Sequence, residues 1–227
     1  MLKIFQSKLS LQAFEFFSDH ALEKVIEAHG YPKPFETYAP FYALIDFDNQ
    51  DNTSQDDALK LYSECADKKL VLDGVMSESI AQSQNMWKLR EDISETLWHY
   101  QPYKNDLSVR ISKMPKFLDE VGSFIKKSYP NFEVIWYGHI GDGNLHLNIL
   151  KPAALNKSEF KSLCDDISMN LGQLVESFDG SISAEHGVGI LKRDYLKFSK
   201  SSGEISLMAE VKKVFDPKGI LNPGKLL

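Results

Sequence analysis

The sequence predicts an α+β fold in which an antiparallel sheet is covered by helices. Two observations support this prediction: short apolar strand patterns alternate with helix-period patterns, and a glycine-rich turn joins two consecutive strands. The chain has 227 residues, of which 43% are hydrophobic and 11% aromatic, so it can bury a substantial core. Disorder is therefore excluded as its main state.

The first half of the chain alternates strands with helices. The apolar runs at 12–17, 41–47 and 70–72 predict strands, and helical spacing at 21–29 and 56–67 predicts helices. Gly30 ends the first helix, and the loop that follows contains two prolines. The longest helical pattern runs from 79 to 99 and ends before Pro102.

The second half predicts the order β-α-β-β-α-β, which is the ferredoxin-like arrangement. Its strands are expected at 106–111, 132–137, 145–150 and 181–184, and its helices at 158–178 and from Pro115 onwards. The turn Gly-Asp-Gly-Asn at 141–144 is typical of a β-hairpin, and we interpret Asp142 as part of that turn. Since no linker separates the two halves, a division near residue 105 would divide one body.

The composition excludes several function classes. With 26 basic and 32 acidic residues the formal net charge is −6, which disfavours nucleic acid as a partner. The lack of an apolar run of about 20 residues, and of a signal-peptide core, predicts a soluble, unsecreted, cytoplasmic protein. Cys65 and Cys164 lie far apart, which predicts reduced thiols. Neither G-x-G-x-x-G nor a P-loop is present, so no phosphate cradle for a dinucleotide is recognisable.

Three histidines and a glutamate in glycine-rich strand ends are the strongest candidates for chemistry. His139 precedes the glycine-rich turn and His146 follows it, and His146 shares a strand face with Asn148 because side chains alternate. Glu185 and His186 follow the last predicted strand. Two imidazoles and a carboxylate with open positions are typical of a catalytic metal site, with zinc as the first choice. The alternative is that each histidine is an ordinary structural residue.

A second candidate lies on the long helical pattern. Arg90 and Ser94 are four residues apart, so on one helix they would share a face and could bind a carboxylate. The alternative, which spacing alone favours, is a solvated helix face among charged neighbours. Lys104 is predicted to be a loop lysine, and its role is left open.

Three long motifs are specific enough to compare with known families. They are YGHIGDGNLH at 137–146, AEHGVG at 184–189 and FDPKGILNPGK at 215–225. Together they resemble the C-terminal part of FAD-linked oxidases of the vanillyl-alcohol oxidase superfamily. Within it the similarity is greatest to D-2-hydroxyglutarate dehydrogenases, with D-lactate dehydrogenases and glycolate oxidase FAD subunits as close relatives.

The resemblance implies two parts and a missing partner. Residues 1–204 would be a substrate- and metal-binding cap domain, and residues 205–227 a tail that packs on an FAD-binding domain or chain, which this sequence does not contain. The chain would then be inactive alone, as a fragment or as one chain of a split enzyme. The electron acceptor and a homodimer are left open.

The resemblance also implies roles for the residues in the motifs. His139, His146 and Glu185 match the metal ligands of the family, and His186 matches its general base. Asn148 matches a polar residue beside substrate and flavin.

Outside the motif centres, further positions match groups that bind substrate or flavin. Arg90 and Lys104 match groups that hold the carboxylates of the substrate. Ser94 stands where the dehydrogenases have a threonine. Asn222 lies in the tail that returns towards the flavin.

The implied reaction is oxidation of the 2-hydroxyl of a D-2-hydroxyacid to a 2-oxo acid, with D-2-hydroxyglutarate as the first choice. The metal would lower the pKa of that hydroxyl, His186 would take its proton, and FAD would accept the hydride. Three alternatives stay open: a D-lactate or glycolate type of oxidase, a metal-binding module without redox activity, and a metal-dependent hydrolase with Glu185 as base.

Overall fold

The structure is a computed structural model, and it describes residues 2–5, 7–49 and 53–227. The chain divides into two compact units. The first comprises Met1–Gln101 with Ile135–Gly141, and the second comprises Pro102–Val134 with Asp142–Leu227. Each unit combines antiparallel strands with helices, which confirms the predicted α+β class.

Five strands and eight α-helices lie in the described residues, and they are numbered here in chain order. The strands are β1 (Leu11–Ser18), β2 (Phe41–Phe47), β3 (Tyr103–Ser108), β4 (Glu133–Gly138) and β5 (Asn144–Leu150). The helices are α1 (Leu2–Phe5), α2 (Asp19–His29), α3 (Ser54–Asp67), α4 (Ile80–Glu91), α5 (Ile93–Trp98), α6 (Met114–Ser128), α7 (Lys157–Ser177) and α8 (Ser202–Phe215). Short 3-10 helices are formed by Ile111–Lys113 and Arg193–Phe198.

The first unit is built on β1, which pairs in antiparallel fashion with β2 and with β4. The aromatic side chains of Phe14, Phe16 and Phe17 on β1 are buried. Helix α2 follows directly and packs against α4 and α5. It ends at Gly30, whose left-handed φ of 67° lets its N–H donate to the carbonyl of Ile26.

The second unit is built on the antiparallel pair of β3 and β5. Every residue of β5 is buried, as expected for a strand covered on both faces. Helix α7 packs against β3 and against α6. The buried faces of these two helices carry Phe117, Val121, Ile125, Ile167, Leu171 and Val175. This core fixes the position of the polar side chains on β3 and β5.

The turn before β5 requires a glycine at position 143. Gly143 has a φ of 86°, and a Cβ added there would collide with the carbonyl oxygen of Val109. The side chain of Asp142 accepts a hydrogen bond from the N–H of Asn144 at 3.2 Å. Asp142 is therefore a turn residue, as predicted.

The predicted strand at 70–72 is wrong. Leu70 and Leu72 are 64% and 66% exposed, and Lys69 directly before them has a left-handed φ of 56°. A strand forms only where a neighbouring strand takes up its backbone hydrogen bonds. Among the described residues these three have no such neighbour.

The predicted strand at 181–184 is reduced to a single bridge. Ser181 exchanges both backbone hydrogen bonds with Ser108, at 2.8 and 3.0 Å. The next residue, Ile182, donates its N–H to Oγ of Ser199 and accepts from Nζ of Lys192. Side chains therefore occupy the backbone groups that a longer ladder would need.

The helical pattern predicted at 79–99 is two helices. Asp92 lies between α4 and α5, and its carboxylate accepts a hydrogen bond from the hydroxyl of Tyr31 at 2.7 Å. Aspartate is a weak helix former because its side chain competes for backbone and neighbouring donors. Arg90 and Ser94 therefore belong to different helices.

Two further differences affect the second unit. Strand β3 begins at Tyr103, earlier than the predicted 106, so Lys104 lies in a strand and not in a loop. Helix α8 begins at Ser202, before the predicted start of the tail at 205, and is opened by a capping box formed by Ser201 and Glu204.

Cys65 and Cys164 are buried and not disulfide-bonded, as predicted. Burial raises the pKa of the Cys164 thiol to about 12, so this thiol stays protonated at neutral pH. Over the ranges that the structure describes, no helix is both long enough and apolar enough to cross a membrane.

Candidate functional site

The first unit brings Glu15, Arg90 and His139 together. The pairing of Phe16 with Gly138 places Glu15 beside His139, and α4 packs against β1. Oε1 of Glu15 lies 2.7 Å from Nδ1 of His139. Oε2 accepts a hydrogen bond from Nε of Arg90 at 2.9 Å and lies 2.8 Å from its Nη2. One carboxylate thus holds a guanidinium and an imidazole.

This ion pair lies in the interior of the first unit. Glu15 is 5% and Arg90 is 7% exposed, and the guanidinium carbon lies 4.8 Å from the centre of the Tyr137 ring. Burial raises the pKa of the Glu15 carboxyl, but the hydrogen bond to His139 and the charge of Arg90 outweigh it, so that pKa lies below its ordinary value. The alternative of a solvated helix face for Arg90 is therefore wrong.

The second unit places four polar side chains on one face of β3 and β5. In the antiparallel register Lys104 stands opposite Asn148, and Asp106 stands opposite His146. Residues two apart on a strand point to the same side, so these four share a face. The predicted common face of His146 and Asn148 is confirmed, and β3 adds a lysine and an aspartate to it.

Asp106 is at the centre of this face and is fully buried. Its Oδ2 accepts hydrogen bonds from the backbone N–H groups of Glu185 and His186, at 2.8 and 2.9 Å. Its Oδ1 lies 3.5 Å from Nδ1 of His146. Burial raises the pKa of the Asp106 carboxyl, but His146 and the two N–H donors outweigh it and hold that pKa far below its usual range.

The loop of Glu185 and His186 is exposed and is attached to β3 by these two hydrogen bonds. The ring of His186 is stacked on that of His146, with centroids 5.8 Å apart and an interplanar angle of 10°. Lys192 adds a further attachment, because its Nζ donates to the carbonyls of Ile182 and, at 3.4 Å, of Asp106. The two candidate residues of this loop are therefore positioned by their backbone.

Several buried polar atoms of the second unit have no hydrogen-bond partner among the described residues. On this face they are Oδ1 of Asp106, Oδ1 of Asn148, and Oδ1 and Nδ2 of Asn144; Nδ2 of Asn105, on the opposite face of β3, and Oγ of Ser183 are also unpaired. Leaving such atoms unpaired costs roughly 1–3 kcal/mol each. Unpaired buried groups at this density are typical of a site that a polar ligand completes.

The remaining candidates lie at exposed positions. Ser94 is exposed on α5, Lys104 is exposed on β3, and Asn222 is exposed in the turn after α8. Asn222 has a left-handed φ of 45°, and its carbonyl accepts a hydrogen bond from the N–H of Lys225. Asparagine tolerates this backbone conformation, so the turn itself accounts for the residue.

Two residues of these clusters, Glu15 and Asp106, are not among the candidates that the sequence predicts. Glu15 interrupts the apolar run of β1, and Asp106 precedes the apolar Leu107 and Val109 in β3. For Glu15 this interruption is a usable signal, because a buried carboxylate needs a partner; Asp106 follows the polar Lys104 and Asn105 and gives no such signal. The sequence does not show which residues are the partners of Glu15 and Asp106, because those partners lie far away along the chain.

The donor set of the second unit suits a divalent metal ion. One ligand atom from each of Asp106, His146 and His186 lies within 4.8 Å of the others. Imidazole nitrogen and carboxylate oxygen are ligands that zinc takes. Because Oδ2 of Asp106 already accepts two backbone N–H groups and its Oδ1 lies 3.5 Å from Nδ1 of His146, we do not assign it as a ligand. Of the three predicted ligands, His146 and Glu185 belong to the second unit and His139 to the first, so their shared coordination stays a prediction.

The sequence matches, over residues 1–226, the family described as FAD linked oxidases, C-terminal domain. The chain belongs to this family. The D-2-hydroxyglutarate dehydrogenase of Stutzerimonas stutzeri (strain A1501) is 54% identical to it over 226 residues, and that of Xanthomonas citri pv. viticola is 49% identical over 222 residues. These matches cover 100% and 98% of the domain but 49% and 47% of the relatives. This FAD-linked oxidase domain thus spans about half the length of these curated relatives.

Two more distant proteins extend the comparison. A putative mitochondrial D-lactate dehydrogenase of Schizosaccharomyces pombe is 33% identical over 231 residues, which cover 95% of the FAD-linked oxidase domain and 42% of that protein. The solved structure of 4-ethylphenol oxidase from Gulosibacter chungangensis matches 94% of the domain and 47% of that chain, with a TM-score of 0.56 and 14% identity. The latter similarity supports the fold alone.

Proposed function

We propose that this domain is the substrate- and metal-binding part of an FAD-dependent enzyme that oxidises a D-2-hydroxyacid to the 2-oxo acid. The substrate that we propose first is D-2-hydroxyglutarate. The observation that carries the proposal is the 54% identity, across the whole chain, to a relative named D-2-hydroxyglutarate dehydrogenase. The polar face of β3 and β5, with its unpaired buried atoms, supports a small polar ligand at this place in the fold.

Zinc would be held by His139, His146 and Glu185. When bound, such an ion supplies a Lewis acid that lowers the pKa of a coordinated hydroxyl. His186 would take the hydroxyl proton, because an imidazole is a suitable base at neutral pH and its loop is held by Asp106. Asn148, which is 1% exposed and has an unpaired Oδ1, would orient the substrate from β5.

The substrate carboxylates would be bound by Arg90 and Lys104, with the hydroxyl of Ser94 as a further donor. Glu15 occupies the Nε and Nη2 side of the guanidinium, which has five N–H donors in all. A guanidinium fixed in this way is preorganised, so less entropy is lost when it binds an anion. Lys104 shares its strand face with Asp106 and His146.

FAD would be held mainly by a flavin-binding domain and would supply the hydride acceptor. Residues 205–227 would pack on that domain, with Asn222 towards the flavin. The proposal for this tail is supported by the exposed apolar side chains of α8, since large exposed apolar patches mark interaction surfaces.

The test uses the complete flavin-containing protein that carries this domain. We expect it to reduce its flavin with D-2-hydroxyglutarate, to contain zinc, and to lose both zinc and most turnover when His146 is changed to Ala. His20→Ala is the matched control, because His20 is exposed on α2 and belongs to neither group of candidate metal-binding side chains. Unchanged zinc content and turnover in His146→Ala would refute the ligand assignment.

A second candidate substrate is D-lactate, because a relative named as a putative D-lactate dehydrogenase covers 95% of the chain at 33% identity. A panel of D-2-hydroxyacids separates the two. A second carboxylate that lowers KM at least tenfold would favour D-2-hydroxyglutarate, and equal values for the two substrates would favour the lactate type.

A further inference from the structure

Each of the two histidines proposed as metal ligands has a buried carboxylate at its Nδ1 atom. In the first unit Nδ1 of His139 lies 2.7 Å from Oε1 of Glu15. In the second unit Nδ1 of His146 lies 3.5 Å from Oδ1 of Asp106. Glu15 is 5% exposed and Asp106 is fully buried. The same arrangement thus occurs independently in two units of the chain.

A carboxylate at Nδ1 selects the tautomer of a neutral histidine. The ring donates its Nδ1–H to the carboxylate, and its Nε2 then carries the lone pair that can bind a metal. For His146 the nearest carboxylate oxygen is Oδ1 of Asp106, which lies 3.5 Å from Nδ1 and has no hydrogen-bond partner among the described residues. A proton on Nδ1 would satisfy this buried oxygen, which is costly to leave unpaired.

Asp106 also fixes a second group in the same unit. Its Oδ2 accepts the backbone N–H groups of two consecutive residues, Glu185 and His186. These include the third proposed ligand and the proposed base. One buried side chain therefore sets the orientation of one ligand ring and the position of the loop that carries the other groups.

Glu15 connects its histidine to the proposed substrate-binding arginine. Oε1 contacts His139, and Oε2 is bound by the Nε and Nη2 side of Arg90. With Oε2 bound by Arg90, Oε1 is the oxygen that faces the ring of His139.

We infer that Glu15 and Asp106 are positioning residues that hold His139 and His146 in the metal-binding tautomer and orientation. This inference rests on the proposed function, because it assigns supporting residues to the same metal site. Neither residue is proposed to touch the metal or the substrate.

The sharpest variant is Asp106→Asn in the complete flavin-containing protein. The amide oxygen can still accept from the loop N–H groups, but the amide nitrogen would then donate to Nδ1 of His146 and place the ring proton on Nε2. We expect the zinc affinity, measured by competition with a chromogenic chelator, to fall about 10–100-fold, as for other residues that support metal ligands.

Asp216→Asn is the matched control for Asp106→Asn. Asp216 is also a buried aspartate of the second unit, and it also accepts two backbone N–H groups, those of Ile220 and Leu221. We expect this variant to lower the melting temperature of the metal-free protein and to leave the zinc affinity unchanged. A purely structural role of Asp106 would make the two variants alike.

Glu15→Gln tests the first unit in the same way. Its matched control is Asp46→Asn, which removes the charge of the carboxylate that accepts the Trp87 indole N–H at 2.9 Å on the same sheet but keeps an oxygen acceptor. Glu15→Gln is expected to weaken zinc binding about tenfold. The Co²⁺-substituted protein offers a second readout, because a reoriented ligand changes the visible absorption spectrum.

The outcomes separate the inference from the function on which it rests. If the parent protein binds no zinc, or if His146→Ala retains it, the proposed metal site is wrong. If the parent binds zinc and His146→Ala loses it, but Asp106→Asn and Glu15→Gln match the parent within twofold, the site stands and the positioning role is wrong. Selective loss of affinity in these two variants supports the inference.

Discussion

Arg90 has a structural role that comes before any role in substrate binding. It is buried with Glu15 in a two-sided contact, so removing its side chain leaves Oε2 of a buried carboxylate unpaired. We predict that Arg90→Ala lowers the free energy of unfolding by about 3–5 kcal/mol, measured by urea denaturation. A loss below about 1 kcal/mol would show that the pair is accessible to water.

The substrate role of Arg90 therefore needs a milder variant. Arg90→Lys keeps the charge beside Glu15 but loses the planar fork that binds a carboxylate on two sides. We predict a KM for D-2-hydroxyglutarate raised at least about tenfold with a smaller change in kcat, and little change in KM for D-lactate, which lacks the second carboxylate. Equal changes for both substrates would contradict a role in binding the distal carboxylate.

Gly143 is a residue whose replacement tests the turn before β5. Its φ of 86° is unfavourable for other residues, and a Cβ would collide with the backbone of Val109. We predict that Gly143→Ala lowers the free energy of unfolding by more than about 1 kcal/mol. Gly122→Ala is the control, because nothing lies within 4 Å of its added Cβ in the interior of α6, and it should stabilise by about 0.5–1 kcal/mol. Equal urea midpoints would contradict this prediction.

At the scale of elements, the end of α8 is fixed by one carboxylate. Asp216 accepts hydrogen bonds from Nζ of Lys212 at 2.8 Å and from the N–H groups of Ile220 and Leu221 at 2.9 and 3.0 Å. The bond from Lys212 and the two backbone donors lower the pKa of the Asp216 carboxyl and outweigh its burial. The ionised form is therefore the one that the folded state stabilises.

This lowered pKa predicts a pH dependence. A group whose pKa is lower in the folded state contributes stability that is complete above its unfolded pKa, here near 3.8, and is lost as the pH falls through the folded value. We predict that Asp216→Asn is less stable than the parent at pH 7 and that the difference shrinks below pH about 3.8. A difference that stays constant from pH 7 to pH 2, by thermal unfolding, would contradict the assignment.

The sequence predicts correctly those elements whose own residue pattern is enough to identify them. The predicted bounds of strand β2 match the structure, because a continuous apolar run defines it, and those of α7 agree within one residue, because its apolar residues recur at helical spacing. The strand at 181–184 failed because Lys192 and Ser199, remote side chains, take its backbone groups. Residues 70–72 failed because an apolar run does not reveal whether a partner strand exists.

In the candidate site, too, local patterns are predicted correctly and contacts between distant residues are not. Spacing could place His146 beside Asn148, since both lie on one strand, and the family motifs supplied roles for the exposed Glu185 and His186. Spacing could not supply the partners of these residues. Asp106 lies opposite His146 because of the register of β3 on β5. This pairing joins residues about 40 positions apart, and a local sequence pattern does not predict it.

At the scale of the whole molecule, helix α8 has an exposed apolar face. Leu207, Val211, Val214 and Phe215 are 61%, 51%, 75% and 78% exposed, and their spacing of four, three and one residues places them on one side of the helix. The curated relatives are about twice as long as this chain, which leaves room in those relatives for a flavin-binding domain such as the one proposed above. We therefore expect the flavin-binding domain to bury it.

Val214→Asp in the complete flavin-containing protein tests this expectation. Burying a valine contributes roughly 1.5–3 kcal/mol, and an aspartate at the same place would have to be buried without a partner. We predict a lower melting temperature of the complete protein and a smaller flavin content, measured from the ratio of absorbance at the flavin band to that of the protein. Leu72→Asp is the control, because Leu72 is equally apolar, is 66% exposed and lies in a loop of the first unit. If both variants retain flavin and melt alike, α8 faces water in the complete protein and the flavin-binding domain is held elsewhere.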